Sequence, residues 1–574
     1  MIVPSTGTLR DDKVIEIRDA CLQSRTERAS NYVRRRRYFM YGVNSYEKCR
    51  YNRLFSHLDL VAAFLYSADH ASYNLAAPLN SPDPVVHQAT ALGDYWNQKF
   101  RESGIAYQYA LALLWALVYD TMIMKLGWND TRDKLYGKMI MPSSFGVYDE
   151  SETDLESQEA FVHVYRLNYD EACLRLMRAG KKDRIKDLGV EIASPTDDMP
   201  PVLKQLILTS QGSTNLSANI MGQAPLDVEP SILYEPKSDI PTIEFHELWV
   251  WDSIADDYII FHIAKPDIIL SDSRETIASL QKAGKDKVKY ESESNLFLPE
   301  THPFVAITPF QLPDYFWGEA HTERLIPLQE WTNERLAQIA EILEQQVDPS
   351  KVFSGFSGLS DEKAGAFGGP GSWVMDMIPG AKVEPLRPQM PDDIFAEFQS
   401  IGQIFLEASG LTETVTGKGE SGVRGRGHAK QLATTGSARI RKTAVMLEPS
   451  LVEIGDLGIK LLQYNDDEKI VAADGQVFVA EQFAAREWSL RISGHSHSPL
   501  FVDEGRELAA SLIKTGAIDR EMFIRLNHPP ERDTMIAALR KREVAEQAAR
   551  ALNPGGQKPN GKASTRGASH GTQA

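Results

Sequence analysis

Two glycine-rich stretches contain cations and could in principle hold phosphate groups: TGKGES at 416–421 and GVRGRG at 422–427. A phosphate-binding loop requires the pattern G-x-x-x-x-G-K-S/T after a strand, so that backbone N–H groups and the lysine surround the phosphates. Here Lys418 is followed by Gly419, and no strand-like pattern comes before it. The second stretch does not match G-x-G-x-x-G. The sequence therefore predicts no nucleotide site in this region.

Two histidines and three cysteines are the candidates for metal binding. His495 and His497 lie close together in SGHSHSP, but no third ligand follows at a spacing that zinc sites use. The stretch HELW at 246–249 lacks the second histidine of a zinc-protease helix and lies in a strand-like pattern. Widely separated cysteines without a CxxC motif indicate buried, reduced thiols: Cys21, Cys49 and Cys173. We expect no metal and no cofactor.

Adjacent carboxylates form four pairs that could carry out acid–base chemistry: Asp197/Asp198, Asp256/Asp257, Asp392/Asp393 and Asp466/Asp467. A hydrolase could use one pair to position and deprotonate a water molecule. All four pairs fall at predicted helix starts and turns, where carboxylates accept hydrogen bonds from unpaired N–H groups. The capping role is favoured, and no catalytic residue is assigned. A soluble α-rich hydrolase that uses one pair in a concave pocket remains the alternative.

Composition limits the classes of protein to consider. The chain has 574 residues, 42% of them hydrophobic, enough for roughly two to four domains. Its net charge of −17 argues against a nucleic-acid binder that works by bulk charge, but allows a protein past which DNA slides. The N-terminus shows no apolar signal sequence. The most apolar run, 110–119, is too short to span a bilayer.

Periodicity predicts an α+β fold in which helices dominate. Apolar residues recur at helical spacing in many segments: 11–41, 58–66, 85–100, 105–124, 169–179, 322–347, 391–409, 429–464 (bent near Pro449), 502–515, 519–527 and 531–552. Aromatic and β-branched runs predict strands: 242–252, 258–263, 295–298, 304–307, 470–479 and 488–492. The strands between 242 and 307 are expected to form one compact β module.

The long helix at 322–347 has a narrow apolar stripe on an otherwise charged surface. The stripe comprises residues three or four apart: Leu325, Leu328, Thr332, Leu336, Ile339, Leu343 and Val347. A helix of this length is about 39 Å long. Such a rod suits packing against copies of itself or a few neighbours. One long helix inside an ordinary α-rich enzyme is the alternative.

Three basic stretches stand out. The run Arg34–Arg37 lies in the first helix and could meet DNA phosphates or an acidic partner, or form a solvated face. Lysines 282–289 predict an exposed loop tip on the β module. The glycine-punctuated loop 411–428 carries further cations ahead of a second long helix.

The order of these elements resembles that of the portal proteins of tailed bacteriophages. Four stretches carry the likeness through their order and spacing: ALALLWALVYDTMIMKLGW, HPFVAITPFQLPDYFWGEAHTERLIPLQEWTNERLAQI, FLEASGLTETVTGKGESGVRGRGHAKQLATTGSARIRK and TGAIDREMFIRLNHPPERDTMIAALRKREVAEQAA. The resemblance implies a helix-dominated, multidomain portal fold with a wing, a stem, a β-rich clip and a helical crown. The expected segments are the wing at 1–235 and 348–410, the clip at 236–312, the stem helix at 313–347, the tunnel loop at 411–428, a long helix with short strands at 429–499, and the crown at 500–552. Composition predicts a disordered tail at 553–574.

The resemblance also implies a function without catalysis. A portal forms a dodecameric ring at one capsid vertex of the virion, is assembled in the host cytoplasm, and is the channel for packaging and ejecting double-stranded DNA. Its partners would be the major capsid protein, the terminase large subunit, tail adaptor proteins and the DNA, with no membrane. Another virion protein, such as a tail adaptor or an internal ejection protein, is a further alternative.

Three groups of residues receive roles from the resemblance. Cations of the tunnel loop would face DNA, with salt bridges between subunits as the alternative: Lys418, Arg424, Arg426 and His428. Lysines at the clip tip would dock terminase or adaptor, with plain solubility as the alternative: Lys282, Lys285, Lys287 and Lys289. Apolar residues would pack the stem: Leu325, Leu328, Leu336, Ile339 and Leu343.

Overall fold

The computed structural model describes residues 9–44, 51–67, 71–78, 81–129, 132–189, 242–274, 297–298, 300–347, 349–354, 382–386, 393–411, 438–472, 475–483, 488–492, 499–527, 535–536, 538–542 and 545. The chain divides into two compact units, Met1–Phe501 and Val502–Ala574. Its fold is α+β, with helices dominant, as the sequence predicts. The expected tail at 553–574 lies outside the described residues.

The helices of the first unit begin and end close to the predicted residues in most cases. They are α1 (Asp11–Tyr41), α2 (Arg53–Leu65), α3 (Asp83–Glu102), α4 (Ile105–Tyr119), α5 (Tyr169–Arg178), α6 (His321–Val347), α7 (Ile394–Ser409), α8 (Ala438–Met446) and α9 (Glu448–Asn465). α10 (Pro499–Thr515) leads into the second unit, which contains α11 (Arg520–Asn527). The predicted bend near Pro449 is a break between α8 and α9, with proline in the first turn of α9.

The predicted end of the fourth helix is wrong. The helix pattern continues to Met124, but α4 stops at Tyr119 and the chain enters a strand at Met122. Asp120 has φ 135°, which α-helical backbone does not allow, and its side chain accepts a hydrogen bond from the Thr121 N–H at 2.7 Å. This local turn separates a helix from a strand, and the two apolar segments together resemble a single helix in the sequence.

The strands are β1 (Tyr73–Ala76), β2 (Met122–Asn129), β3 (Lys134–Ile140), β4 (Phe145–Val147), β5 (Ala160–Asn168), β6 (Thr242–Asp252), β7 (Asp257–Ala264), β8 (Ile268–Asp272), β9 (Phe304–Ile307), β10 (Ser350–Ser354), β11 (Lys382–Leu386), β12 (Lys469–Val471), β13 (Val477–Val479) and β14 (Ser489–Ile492). The largest described sheet is antiparallel, in the order β4-β5-β6-β7-β8, and a three-stranded sheet has the order β3-β2-β9. β1 pairs with β14, β10 with β11 and β12 with β13.

The expected compact β module at 242–307 is not a separate sheet. β6 pairs along its length with β5, from Ala160 opposite Val250 to Asn168 opposite Thr242, and β9 pairs with β2. Both pairings join strands on either side of residue 236, where the sequence places a domain boundary. Pairing partners so distant in sequence leave no local signal, so the pattern identifies the strands but not their sheets.

A continuous apolar core holds these layers together. α2, α3, α4 and α9 bury their apolar faces with the three-stranded sheet, and the largest buried side chains there include Trp96, Tyr109 and Phe304. α1 covers one face of the five-stranded sheet through Val14 and Ile17. A separate apolar cluster joins α5 to residues of β6, β7 and β8. Burial on this scale is the main stabilising term of the first unit.

Candidate assembly surface

The first half of α6 is anchored inside its own chain. Leu325 and Ile326 are fully buried, and two polar residues of the same half, Gln329 and Thr332, are equally inaccessible. The hydroxyl of Thr332 donates to the Leu328 carbonyl at 2.8 Å, which satisfies it within the helix. The N-terminal half therefore belongs to the body of the chain.

The amide of Gln329 fixes α6 to the start of α2. Its oxygen accepts hydrogen bonds from the backbone N–H groups of Arg53 at 2.9 Å and Leu54 at 3.1 Å, and its nitrogen donates to the Tyr51 carbonyl at 3.0 Å. The first N–H groups of a helix have no partner within that helix. A side chain of α6 thus caps α2 from outside.

The arginine run of α1 lies against the first turn of α6. Arg35 forms ion pairs with Asp120 at 2.8 Å and with Glu323 at 3.1 Å, and Arg34 pairs with Glu323 at 2.9 Å. Arg37 is 3% exposed. Of the interpretations from sequence (DNA phosphates, an acidic partner or a solvated face), the structure shows the acidic partner for Arg34 and Arg35, supplied by Glu323 and Asp120 of the same chain. The sequence does not identify these partners, because they lie far away along the chain.

Asp120 is the buried centre of this charge network. Burial raises the pKa of its carboxyl to about 7, although Arg35 and the Thr121 N–H act in the opposite direction. Its neighbour Arg35 also contacts α6 through Glu323. The turn after α4, the first helix and the base of the long helix are therefore linked electrostatically.

The second half of α6 carries its apolar stripe to the surface. Leu336 and Ile339 are half-buried, Leu343 is 48% exposed, and Val347 is 87% exposed. One ion pair, from Arg335 to Glu397 at 2.9 Å, connects this half to α7. The stripe thus continues beyond the part that the chain itself buries. We call the four apolar residues of this half the stem stripe: Leu336, Ile339, Leu343 and Val347.

The predicted stem-packing residues therefore divide into two groups. Leu325 and Leu328 pack in the core of their own chain, fully and partly buried respectively. Leu336, Ile339 and Leu343 belong to the stem stripe. α7 packs along α6 and exposes two further apolar side chains, Phe395 at 57% and Ile404 at 41%. A surface of this kind can bind another apolar helix and has no evident chemistry of its own.

The other predicted site residues lie outside the described residues. These are the tunnel-loop cations Lys418, Arg424, Arg426 and His428, and the lysines Lys282, Lys285, Lys287 and Lys289. His495 and His497 also fall outside. Within the described ranges, no group of three or more His, Cys, Asp or Glu side chains is placed to hold a metal ion. Cys21 and Cys173 are buried thiols, as predicted.

Two of the acidic pairs form turns, as the capping interpretation predicts. Asp257 accepts hydrogen bonds from the backbone N–H groups of Tyr258 at 2.8 Å and Glu300 at 2.9 Å. Asp466 accepts from the Glu468 N–H at 3.0 Å and from the Tyr95 hydroxyl at 2.6 Å. Asp393 stands at the N-cap of α7 but its side chain makes no capping hydrogen bond, so the capping interpretation is wrong there. Asp197, Asp198 and Asp392 lie outside the described residues.

A buried ion pair was not predicted from the sequence. Lys125 on β2 lies 2.7 Å from Glu247 on β6, and His163 Nδ1 lies 3.2 Å from the same carboxylate. Burial opposes ionisation of Glu247, but Lys125 and His163 outweigh it and hold its pKa well below the usual range. Burial lowers the pKa of His163 to about 4, so the ring is neutral.

This ion pair joins the three-stranded and five-stranded sheets beside a cavity of about 470 Å³, which is also lined by Arg166 and Arg175. A carboxylate with so low a pKa is a weak base near neutral pH, so the group is better suited to joining sheets than to proton transfer. The motif HELW contains Glu247 but does not reveal this ion pair, because Lys125 and His163 lie on other strands.

Comparison with known proteins gives little. No family model matches the chain, and no curated protein matches it. No described helix is both long and apolar enough to cross a membrane. Among solved structures, the chain is similar to a chain of the virion of a native gene transfer agent (GTA) particle, with 9% sequence identity and a TM-score of 0.35. The match covers 83% of this chain and 89% of that chain. At so low a TM-score the likeness carries no argument about function.

Proposed function

We propose that this chain is a portal protein, a structural subunit of a phage-like virion that assembles into a ring of about twelve copies and passes double-stranded DNA through its centre. The observation that carries the proposal is the divided environment of α6. Its first half is locked into the subunit by Gln329, and its second half presents the stem stripe outward. The order of elements along the chain supports the same function.

The stem stripe favours a neighbour of the same kind. Each exposed leucine or valine side chain stabilises a contact by about 1.5–3 kcal/mol when fully buried, and the rest of the helix is charged and remains soluble. A helix that packs against a different surface of the next copy makes a heterologous contact. Such contacts form a closed ring when the rotation between neighbouring copies is a whole fraction of a full turn. The first half of α6 is fixed within each chain, so every copy would present its stem stripe at the same angle.

The charge of the chain fits a channel through which DNA moves. With a net charge of −17, the subunit does not attract phosphates over its whole surface, and strong phosphate contacts would slow translocation. Transient contacts to DNA are assigned to Lys418, Arg424 and Arg426 of the tunnel loop. Docking of terminase or adaptor is assigned to the lysines at 282–289. Contact with the major capsid protein belongs to the same proposal.

The first experiment is the native mass of the full chain, with negative-stain images of the same fraction. A ring of about twelve 64.1 kDa subunits with a central hole wide enough for duplex DNA is expected. A monomer or dimer without a hole would contradict the proposal and return attention to the hydrolase alternative. A ring of a clearly different subunit number would favour a tail adaptor.

The tunnel-loop assignment has its own test. Replacing Lys418, Arg424 and Arg426 together by alanine is expected to change the rate of DNA packaging or ejection while the ring still forms, because only the contact to phosphate is removed. Packaging and ejection identical to those of the unmodified virion would contradict this role.

A further inference from the structure

A second cavity of the first unit is strongly acidic. It has a volume of about 900 Å³ and lies between α9, the adjoining ends of β6 and β7, and residues 300–302. Six carboxyl groups line it: Asp154, Glu156, Glu300, Glu448, Glu453 and Asp456. Lys460 is the one cationic side chain among its lining residues. The cavity therefore has a large excess of negative charge.

Aromatic rings form part of the same wall. Trp251 and Tyr258 both line the cavity, with ring centroids 4.8 Å apart and planes at 68°. Ammonium and guanidinium groups are attracted to the faces of such rings, whereas small hydrated metal ions prefer oxygen ligands alone. Carboxylates beside aromatic rings are a combination that recognises organic cations.

A buried histidine provides the third element. His302 lines the cavity, is only 6% exposed, and among the described residues neither of its ring nitrogens makes a hydrogen bond of good geometry. Burial lowers its pKa to about 4, partly offset by backbone groups at Phe304 and at His302 itself, so the ring is neutral. A neutral imidazole has one acceptor nitrogen.

We propose that this cavity binds a linear alkyl polyamine, a chain of methylene groups that carries two or more ammonium ions. Several positive charges are needed to balance the carboxylates, and the methylene groups would pack on Trp251 and on the apolar lining residues Val452 and Leu457. A bare metal ion fits less well, because no set of three ligating side chains is placed for it among the described residues. The site is independent of the portal proposal, since it requires only the folded subunit.

Glu453 couples this binding to pH. Burial raises the pKa of its carboxyl well above the usual range, and the nearby Glu156, Asp154 and Asp456 raise it further. In the empty cavity the protonated form of Glu453 therefore persists to higher pH than in a free glutamic acid. A bound ammonium ion takes over the role of that proton, so binding releases protons and strengthens as the pH rises. Lys460 and the remaining carboxylates face the same space and set the background charge.

The test is calorimetric titration of the full chain with spermidine at moderate ionic strength, in two buffers of different ionisation enthalpy. We expect one class of site, with proton release visible as a difference between the buffers. Trp251→Leu is expected to weaken binding by about tenfold through loss of the ring face. Glu453→Gln is expected to weaken binding and to abolish the proton release. Asp59→Asn removes an exposed carboxylate of α2 and is expected to leave binding unchanged.

Three outcomes would overturn the proposal: no binding of spermidine by the unmodified chain, equal weakening by Asp59→Asn, or complete competition by Mg²⁺ at equal total charge. The last two would mean that surface charge attracts any cation. Thermal unfolding of each variant checks its fold. If Trp251→Leu unfolds, the proton release lost in a folded Glu453→Gln still decides the question.

Discussion

One buried amide determines how the longest described helix meets its neighbour. Gln329 makes hydrogen bonds with three backbone groups of residues 51–54 and also donates to Asn333 at 2.9 Å. It is fully buried, so water does not replace it. A buried polar group that loses its partner costs about 1–3 kcal/mol. The junction of α2 and α6 thus depends on one side chain.

We predict that Gln329→Met lowers the free energy of unfolding by about 2–4 kcal/mol, because methionine has the same length but leaves the N–H groups of Arg53 and Leu54 without a partner. The matched control is Gln345→Met on the exposed part of the same helix, where the amide contacts only the nearby Glu341 among the contacts described. Urea unfolding of both variants measures the difference. Equal, small effects at the two positions would contradict the capping role.

Asp120 gives a prediction about pH. Its folded pKa of about 7 exceeds the unfolded value near 4, so between these limits the folded chain holds a proton that the unfolded chain has lost. The contribution of this carboxyl to stability therefore falls as the pH rises from the unfolded to the folded pKa. Above the folded pKa that contribution no longer changes with pH. Asp120→Asn should remove this fall, because the amide does not titrate.

The quantity to measure is the difference in unfolding free energy between the two chains, from about pH 5 to about pH 7. Buried histidines such as His163 and His302, with pKa values lowered to about 4, make stability rise with pH in this range. They do so in both chains, so their effect cancels in the difference. A difference that stays constant with pH would show that Asp120 does not titrate there.

At the level of elements, close packing of α9 on α3 depends on a glycine. A Cβ atom at Gly458 would overlap the indole ring of Trp96, and Trp96 is fully buried. The indole is held on its other sides by Tyr73 and Phe100. The two helices therefore approach at a distance that no larger residue allows.

Gly458→Ala is predicted to lower the unfolding free energy by about 1–3 kcal/mol, because overpacking outweighs the gain of about 1 kcal/mol in helix propensity. Gly402→Ala in α7 is the matched control. There the nearest atom is the guanidinium of Arg53, which can move. Thermal or urea unfolding should show a loss at 458 and little loss, or a gain, at 402. A gain at both positions would contradict the tight contact.

The elements themselves were largely predictable, and their partners were not. α1, β6 and β9 begin and end at or next to the predicted residues, because hydrophobic period and turn residues are local signals. The long helix was also found from its stripe. The sequence did not show that β6 pairs with β5, that Arg35 meets Asp120 and Glu323, or that Lys125 meets Glu247. Each of these contacts depends on chain segments far apart in sequence.

At the level of the whole molecule, the stem stripe is where copies are expected to meet. We predict that Leu343→Glu combined with Val347→Glu reduces the ring to single folded subunits, because charges then occupy the contact between neighbouring helices. Ile254→Glu is the control, since Ile254 is also an exposed apolar residue, 58% accessible, on the turn between β6 and β7. Native mass and negative staining provide the measurement.

The control variant should remain a ring, and circular dichroism should be the same for all chains. Rings that persist in the doubly charged variant would place the contact between copies elsewhere. Loss of the ring in the control as well would indicate a general effect of added charge. Both results would remove the stem stripe from the portal proposal.

Because its first half is buried and its second half carries exposed side chains, α6 can act as a lever. The fifteen residues from 333 to 347 form an arm about 22 Å long beyond the buried half of the helix. A sideways push at Val347 is therefore a torque at the base, where it is resisted by the hydrogen bonds of Gln329 and by the Arg35–Glu323 ion pair. Load applied at the tip is thus passed to α7 through the Arg335–Glu397 ion pair along the arm, and to α2 and α1 at its base.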